Sequence, residues 1–131
     1  MSAIATLPGR IEVDMPAQRP ASHTTDTAYR HVHAIIRIEG ELDALVLPEF
    51  RQTLTTALRA GVAIVVLDLR NTRFLSIGNA AVLICAATEA VANGVDLRLV
   101  VGRREVDRVL RLSGARSLLN SYHSLSAALE V

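Results

Sequence analysis

The run Val62-Ala63-Ile64-Val65-Val66-Leu67 constrains the fold more than any other segment of the chain. An unbroken aliphatic stretch of this length describes a strand covered on both faces, as in the centre of a parallel sheet. Parallel neighbours need crossovers, and the flanking sequence supplies them as helices. Before the run, Leu47, Phe50, Leu54, Ala57 and Leu58 share one helical face, with Arg51, Gln52, Thr55 and Arg59 opposite. Pro48 suits the first turn, where its missing N–H has no partner to lose, and Gly61 offers a C-terminal cap. After the run, residues 78–93 are too long for a strand and rich in Ala, Leu and Ile. They predict a helix that presses Val82, Leu83 and Ala86 onto the sheet, with Gly94 as a left-handed cap after Asn93.

The other segments extend this pattern. Val32, Ala34, Ile36 and Ile38 alternate with His33, Arg37 and Glu39, the period of a half-buried strand ending at Gly40. Residues 24–29 are a weaker strand candidate that would form a hairpin with it through Arg30 and His31. Residues 97–101 read as another strand, and 105–113 as a short helix with Val106, Val109 and Leu110 inward and Gly114 at its end. An extended Leu118-Leu119 and a last helix from Leu125 follow. Residues 7–26, with Pro8, Gly9, Pro16 and Pro20, read as a loose extension in which only Ile11 and Val13 alternate. The expectation is an α/β domain over residues 23–131, preceded by a flexible N-terminal extension over 1–22. Its sheet is small, mixed and mostly parallel, with an N-terminal antiparallel hairpin, and four helices flank it.

Composition narrows the function. The 131 residues suit one domain, and 50% apolar residues suffice for a core. Aromatics are 3% with no Trp, which leaves little to stack bases or sugars. A net charge of +1 provides no global field for nucleic acid or anionic lipid, so neither direct nucleic-acid binding nor membrane attachment is expected. Cys85 is the only cysteine, which excludes an internal disulfide and a thiolate metal cluster. With no apolar run long enough for a signal peptide or a membrane span, a cytoplasmic protein is expected.

Catalytic signatures are absent: there is no G-x-S-x-G, P-loop, G-x-G-x-x-G or H-E-x-x-H. No catalytic residue, metal or cofactor is therefore assigned, and an enzyme pairing Ser76 with a histidine is the contrasting class. His31 and His33 share a strand face that would need His23 or His123 to hold a metal, and solvated edge histidines explain them as well. Glu39, Glu41 and Asp43 sit at a strand end and read either as a solvated edge or as a site for a cation or basic partner. Arg103, Arg104, Arg108, Arg111 and Arg116 gather around one short helix; without interleaved aromatics they read as a solvated face or a surface for an acidic protein. Cys85, among Val82, Leu83, Ala86 and Ala87, reads as a small apolar filler.

The informative stretch is Phe74-Leu75-Ser76-Ile77-Gly78-Asn79, where a strand hands over to a helix. A serine there caps the helix by accepting from an N–H two or three residues on. The same position suits a phosphate, because free N–H groups and the positive end of the helix dipole face it. Phosphorylation there would change the surface seen by a partner without any pocket or catalytic residue.

These residues, in their order, resemble the STAS domain in the form seen in bacterial anti-sigma factor antagonists. The resemblance runs from Arg37-Ile38-Glu39-Gly40-Glu41-Leu42-Asp43 through Val65-Val66-Leu67-Asp68-Leu69 and the Ser76 junction. It continues through Gly94-Val95-Asp96-Leu97-Arg98-Leu99-Val100, Arg108-Val109-Leu110-Arg111-Leu112-Ser113-Gly114 and Ser124-Leu125-Ser126-Ala127-Ala128-Leu129. It implies the STAS fold and a protein-binding module whose partner is an anti-sigma factor with a histidine-kinase-like ATPase fold. Binding would release a sigma factor; the kinase would phosphorylate Ser76 and a phosphatase would reverse it. Ser76 matches the family's phosphorylated serine, Gly78 its motif glycine and Asp43 its acidic residue near the partner, so the implied contact surface is Asp43, Leu75, Ser76, Ile77, Gly78 and Asn79. The family usually has Asp-Ser, a small residue and Gly, whereas this chain has Leu75-Ser76-Ile77-Gly78. Leu75 removes a carboxylate beside the acceptor and Ile77 adds bulk where a kinase approaches, the pattern of a constitutive antagonist. The resemblance also covers stand-alone subunits that regulate an ABC transporter ATPase.

Overall fold

The aliphatic run is buried at every position but Ala63, which is partly buried, and the rest of the fold is arranged to cover it. The computed structural model describes residues 2–7, 11–16 and 33–130. Its elements are β1 (Ser2–Leu7), β2 (Ile11–Pro16), β3 (His33–Ile38), β4 (Gly40–Leu42), α1 (Leu47–Leu58), β5 (Ile64–Leu69) and β6 (Thr72–Leu75). They continue as α2 (Ile77–Ala92), β7 (Asp96–Val101), α3 (Arg104–Ser113), the single turn α4 (Ala115–Leu118), β8 (Asn120–Tyr122) and α5 (Leu125–Leu129). A six-stranded sheet has the order β1-β2-β3-β5-β7-β8, and β4 pairs with β6 in a separate two-stranded ladder. Strands β3, β5, β7 and β8 are parallel, while β1, β2 and β3 pair antiparallel. This is the mixed, mostly parallel α/β sheet with an antiparallel N-terminal edge.

That edge is built differently from the expectation. Residues 2–7 and 11–16, read as part of a loose extension, form two strands, and β2 lies on β3 with Val13 opposite Ile36. Docking buries Ile11 and Val13, which outweighs the breaking tendency of the nearby prolines. The hairpin candidate at 24–29 lies outside the described residues. Among the described residues five helices flank the sheet rather than four, because Gly114, at φ +89°, ends α3 and the chain takes one more turn before β8. That turn includes Leu118, expected as extended.

Two apolar layers hold the sheet. On one face Phe50, Leu54 and Leu58 of α1 and Leu83, Ala86 and Ala90 of α2 pack with Ile36, Leu67 and Leu99, joined by Val106 and Leu110 of α3. Burying each large side chain of this kind contributes about 1.5–3 kcal/mol. On the other face Ile35, Ile64, Val66 and Val100 lie beneath Ala128, Leu125 and Leu129. Strand β3 is therefore covered on both faces, where its alternation suggested one. Arg98, only 9% exposed, ties this second layer down by donating to the carbonyls of Ala128 (2.8 Å) and Glu130 (2.6 Å) at the end of α5. Its charge is met by Asp96 at 2.8 Å, and its guanidinium lies over the Tyr122 ring. Cys85 is a correction: it is exposed on the outer side of α2. That helix is apolar almost all round, so its sequence does not indicate which face meets the sheet.

Candidate functional site

The ladder of β3 with β5 is continued, beyond a break at Gly40, by β4 with β6. The break is tied on both sides: Gly40 N donates to Asn71 O at 3.1 Å, and Thr72 Oγ1 donates to Ile38 O at 2.8 Å. Asp68, almost buried, accepts two guanidinium bonds from Arg70, at 2.9 and 2.8 Å, and so fixes the turn from β5 into β6. Hydrogen bonding and charge attraction to Asp68 raise the pKa of Arg70 above its already high ordinary value.

At the far end of this ladder Ser76 N donates to Leu42 O at 3.0 Å, and two capped turns begin side by side. Asp43 caps a 3₁₀ turn over Ala44–Val46, accepting from Leu45 N at 3.0 Å. Ser76 caps α2, its Oγ accepting from Asn79 N at 3.1 Å and from Asn79 Nδ2 at 2.9 Å. The same Nδ2 donates to Leu42 O (3.0 Å) and Asp43 O (2.7 Å), so one buried amide links the two turns. Ser76 itself is half-buried, with two Asn79 donors within hydrogen-bond distance of its Oγ.

The implied contact residues divide into two groups. Ser76, Asp43, Ile77 and Gly78 reach the surface, whereas Leu75 and Asn79 are buried and shape that surface from beneath. A Cβ on Gly78 would meet Leu47 Cδ1 at 3.2 Å, so the glycine lets α1 approach the head of α2. Sequence reasoning missed Leu45 (86% exposed) and Phe74 (49%), which like Ile77 (79%) are exposed on the two segments that meet at the serine. Apolar residues of this kind read as core in a sequence, and only the fold leaves them outside. Arg73 and Glu41 border them, both exposed, with Glu41 in register with Phe74.

The other candidates are placed apart. His33 is at the start of β3 and His123 beyond the end of β8, at opposite ends of the parallel strands; His23 and His31 lie outside the described residues. Among the described residues no group of three or more His, Cys, Asp or Glu side chains is placed to hold a metal. Glu39 and Glu41 are exposed. Arg111 and Arg116 pair with Asp107, while Arg103, Arg104 and Arg108 are exposed. No helix among the described residues is long and apolar enough to cross a membrane.

A serine-capped helix at the end of a parallel ladder, with an acid-capped turn beside it, is the junction on which the resemblance rested. The STAS domain sequence model matches residues 24–128. The chain belongs to the STAS domain family. Solved structures share the architecture of this chain. The anti-sigma factor antagonist SpoIIAA in its unphosphorylated form superposes with a TM-score of 0.63 at 19% identity, over 81% of this chain and 89% of that one. An anti-sigma factor antagonist from Mycobacterium paratuberculosis gives 0.68 at 16% identity, over 98% and 90%. The phosphorylated form of the Bacillus cell fate determinant SpoIIAA gives 0.57 at 19%, over 72% and 86%. At these identities the likeness is one of fold. No curated protein matches the chain.

Proposed function

We propose that this STAS domain is an anti-sigma factor antagonist, a cytoplasmic binding module without catalysis of its own. It takes up an anti-sigma factor of histidine-kinase-like ATPase fold and so frees a sigma factor. The observation that carries this reading is the exposed apolar group Leu45, Phe74 and Ile77 on two segments that Asn79 links at Ser76. Single exposed apolar residues are ordinary, but three on adjoining segments, interspersed with Asp43, Glu41 and Arg73, have the mixed apolar and polar composition of a protein interface. That the similar folds belong to anti-sigma factor antagonists supports the same assignment.

In this reading a phosphate on Ser76 would place nearly two negative charges inside the apolar patch, favoured locally by the α2 N-terminus and unfavourable to the partner. A phosphatase would restore binding. A constitutive form of the same module is favoured by two features of the junction. Ser76 Oγ accepts from Asn79 N and lies within hydrogen-bond reach of Asn79 Nδ2, so nucleophilic attack competes with these bonds, and Ile77 stands exposed beside the hydroxyl.

The test is binding of the purified anti-sigma factor recovered with the tagged protein from its own cells, with mass spectrometry of Ser76. Ser76→Glu and Ile77→Asp should each weaken binding about tenfold or more, and Ser76→Ala should leave it within about threefold. Phospho-Ser76 would establish the switch, and its absence the constitutive form. Recovery of a transporter ATPase, or equal affinity for all three variants, would overturn the proposal.

A further inference from the structure

We propose that the hollow at the carboxyl ends of β7 and β8 is a binding site for a small oxyanion, phosphate or a phosphate monoester, independent of the Ser76 surface. The cavity measures about 210 Å³ and lies between Val101, the start of α3 and the segment after β8. Drug-sized ligands occupy roughly 300–1,000 Å³, so this one suits a group of few atoms and not a whole nucleotide. Its wall carries three arginines, Arg103, Arg104 and Arg116, together with His123. Among the described residues the only carboxylate lining it is Asp107, whose charge is already taken by Arg116 and, at 3.4 Å, by Arg111. The guanidinium groups of Arg103 and Arg104 have no hydrogen bond or ion pair to any described residue, which puts two positive charges without a described counter-charge on one concave surface.

Two further features of the same wall point to an acceptor-only ligand. Ser121 lines the cavity, and its hydroxyl oxygen is shut off from bulk water with no hydrogen-bond partner, a state that native structures rarely leave unrelieved. Arg103 is the N-cap of α3 and makes no side-chain cap, so the first-turn N–H groups beside the cavity have no side-chain acceptor. A tetrahedral oxyanion supplies acceptors to the guanidinium forks, the hydroxyl and these N–H groups together, and it relieves the repulsion between Arg103 and Arg104. The forks favour phosphate or sulfate, with several oxygens in a fixed geometry, over the spherical chloride.

The experiment titrates the full chain with sodium phosphate, sodium sulfate and phosphoserine against sodium chloride at matched ionic strength, following amide resonances and thermal melting. Phosphate should give saturable shifts confined to residues 101–107 and 121–123 and raise the melting temperature, while chloride gives neither. The double variant Arg103→Gln/Arg104→Gln should bind about tenfold more weakly or worse, whereas Arg108→Gln, one turn along the same helix, should bind as the parent does. Both changes are at exposed positions, and melting in chloride checks that the double variant folds. Competition by phosphoserine assigns the site to a phosphate monoester, and its exclusion assigns it to the free anion. A linear, unsaturated response, or equal affinity in the double variant, would overturn the proposal.

Discussion

Replacing Asn79 by Leu removes the amide that links the two turns of the Ser76 surface while keeping the side-chain volume nearly constant. The Nδ2 group has two hydrogens for three acceptors, so at most two full hydrogen bonds are lost. Leu42 O keeps the bond from Ser76 N at 3.0 Å, and Ser76 Oγ keeps the backbone N–H at position 79. Asp43 O is left with Val46 N at 3.3 Å, so it bears most of the loss. Two hydrogen bonds at about 1 kcal/mol each set the upper value. Asn79 Oδ1 is buried without a partner, and its removal offsets part of that cost. The expected destabilisation is about 1–2 kcal/mol, a fall in melting temperature of roughly 4–7 °C for a domain of this size. Urea unfolding at unchanged m-value measures the global loss, and hydrogen exchange at Leu45 and Val46 should accelerate more than the global change accounts for. A variant within about 0.3 kcal/mol of the parent, with unchanged exchange in the 43–46 turn, would refute the linking role of this amide.

Two further predictions concern the frame. Gly102→Ala places a Cβ 2.7 Å from Arg70 O and 2.9 Å from Arg70 Cα, both backbone atoms that cannot step aside, and should cost about 1–3 kcal/mol in chemical denaturation. Stability within about 0.5 kcal/mol of the parent would show that β7 and the β5–β6 turn separate freely. Arg98→Met keeps the stem and removes the donors to Ala128 O and Glu130 O, leaving buried carbonyls without their partner. It should cost about 2–3 kcal/mol and expose 125–130 to exchange ahead of the rest of the chain, and full protection of α5 would contradict its anchoring role.

Much of the architecture was written in local pattern. The run ending at Leu67 required a strand covered on both faces; the spacing of Phe50, Leu54 and Leu58 required α1; and the strand-to-helix handover at Ser76 suited a helix start capped by a hydroxyl. These follow from near neighbours, because a period, a cap and a buried run are properties of a few consecutive residues. Docking of Ile11 and Val13 on β3 was not legible, since a strand beginning beside prolines is stable only once a partner strand takes its hydrogen bonds. Nor was the outward side of Cys85 on a helix apolar all round.

The site divides in the same way. Ser76, Asp43 and Gly78 were recognisable as chemistry-bearing types at a junction, and their order along the chain was enough to resemble a family. That Asn79 lies beneath the surface as a link, that Leu45 and Phe74 remain outside the core, and that Arg103, Arg104 and Arg116 converge with Ser121 on one hollow were decided only by tertiary structure. Sequence determines what a residue can donate, accept or bury over a turn or a strand. The meeting of residues more than thirty positions apart, as at Asp43 and Asn79 (|i−j| = 36), depends on how the sheet orders its strands.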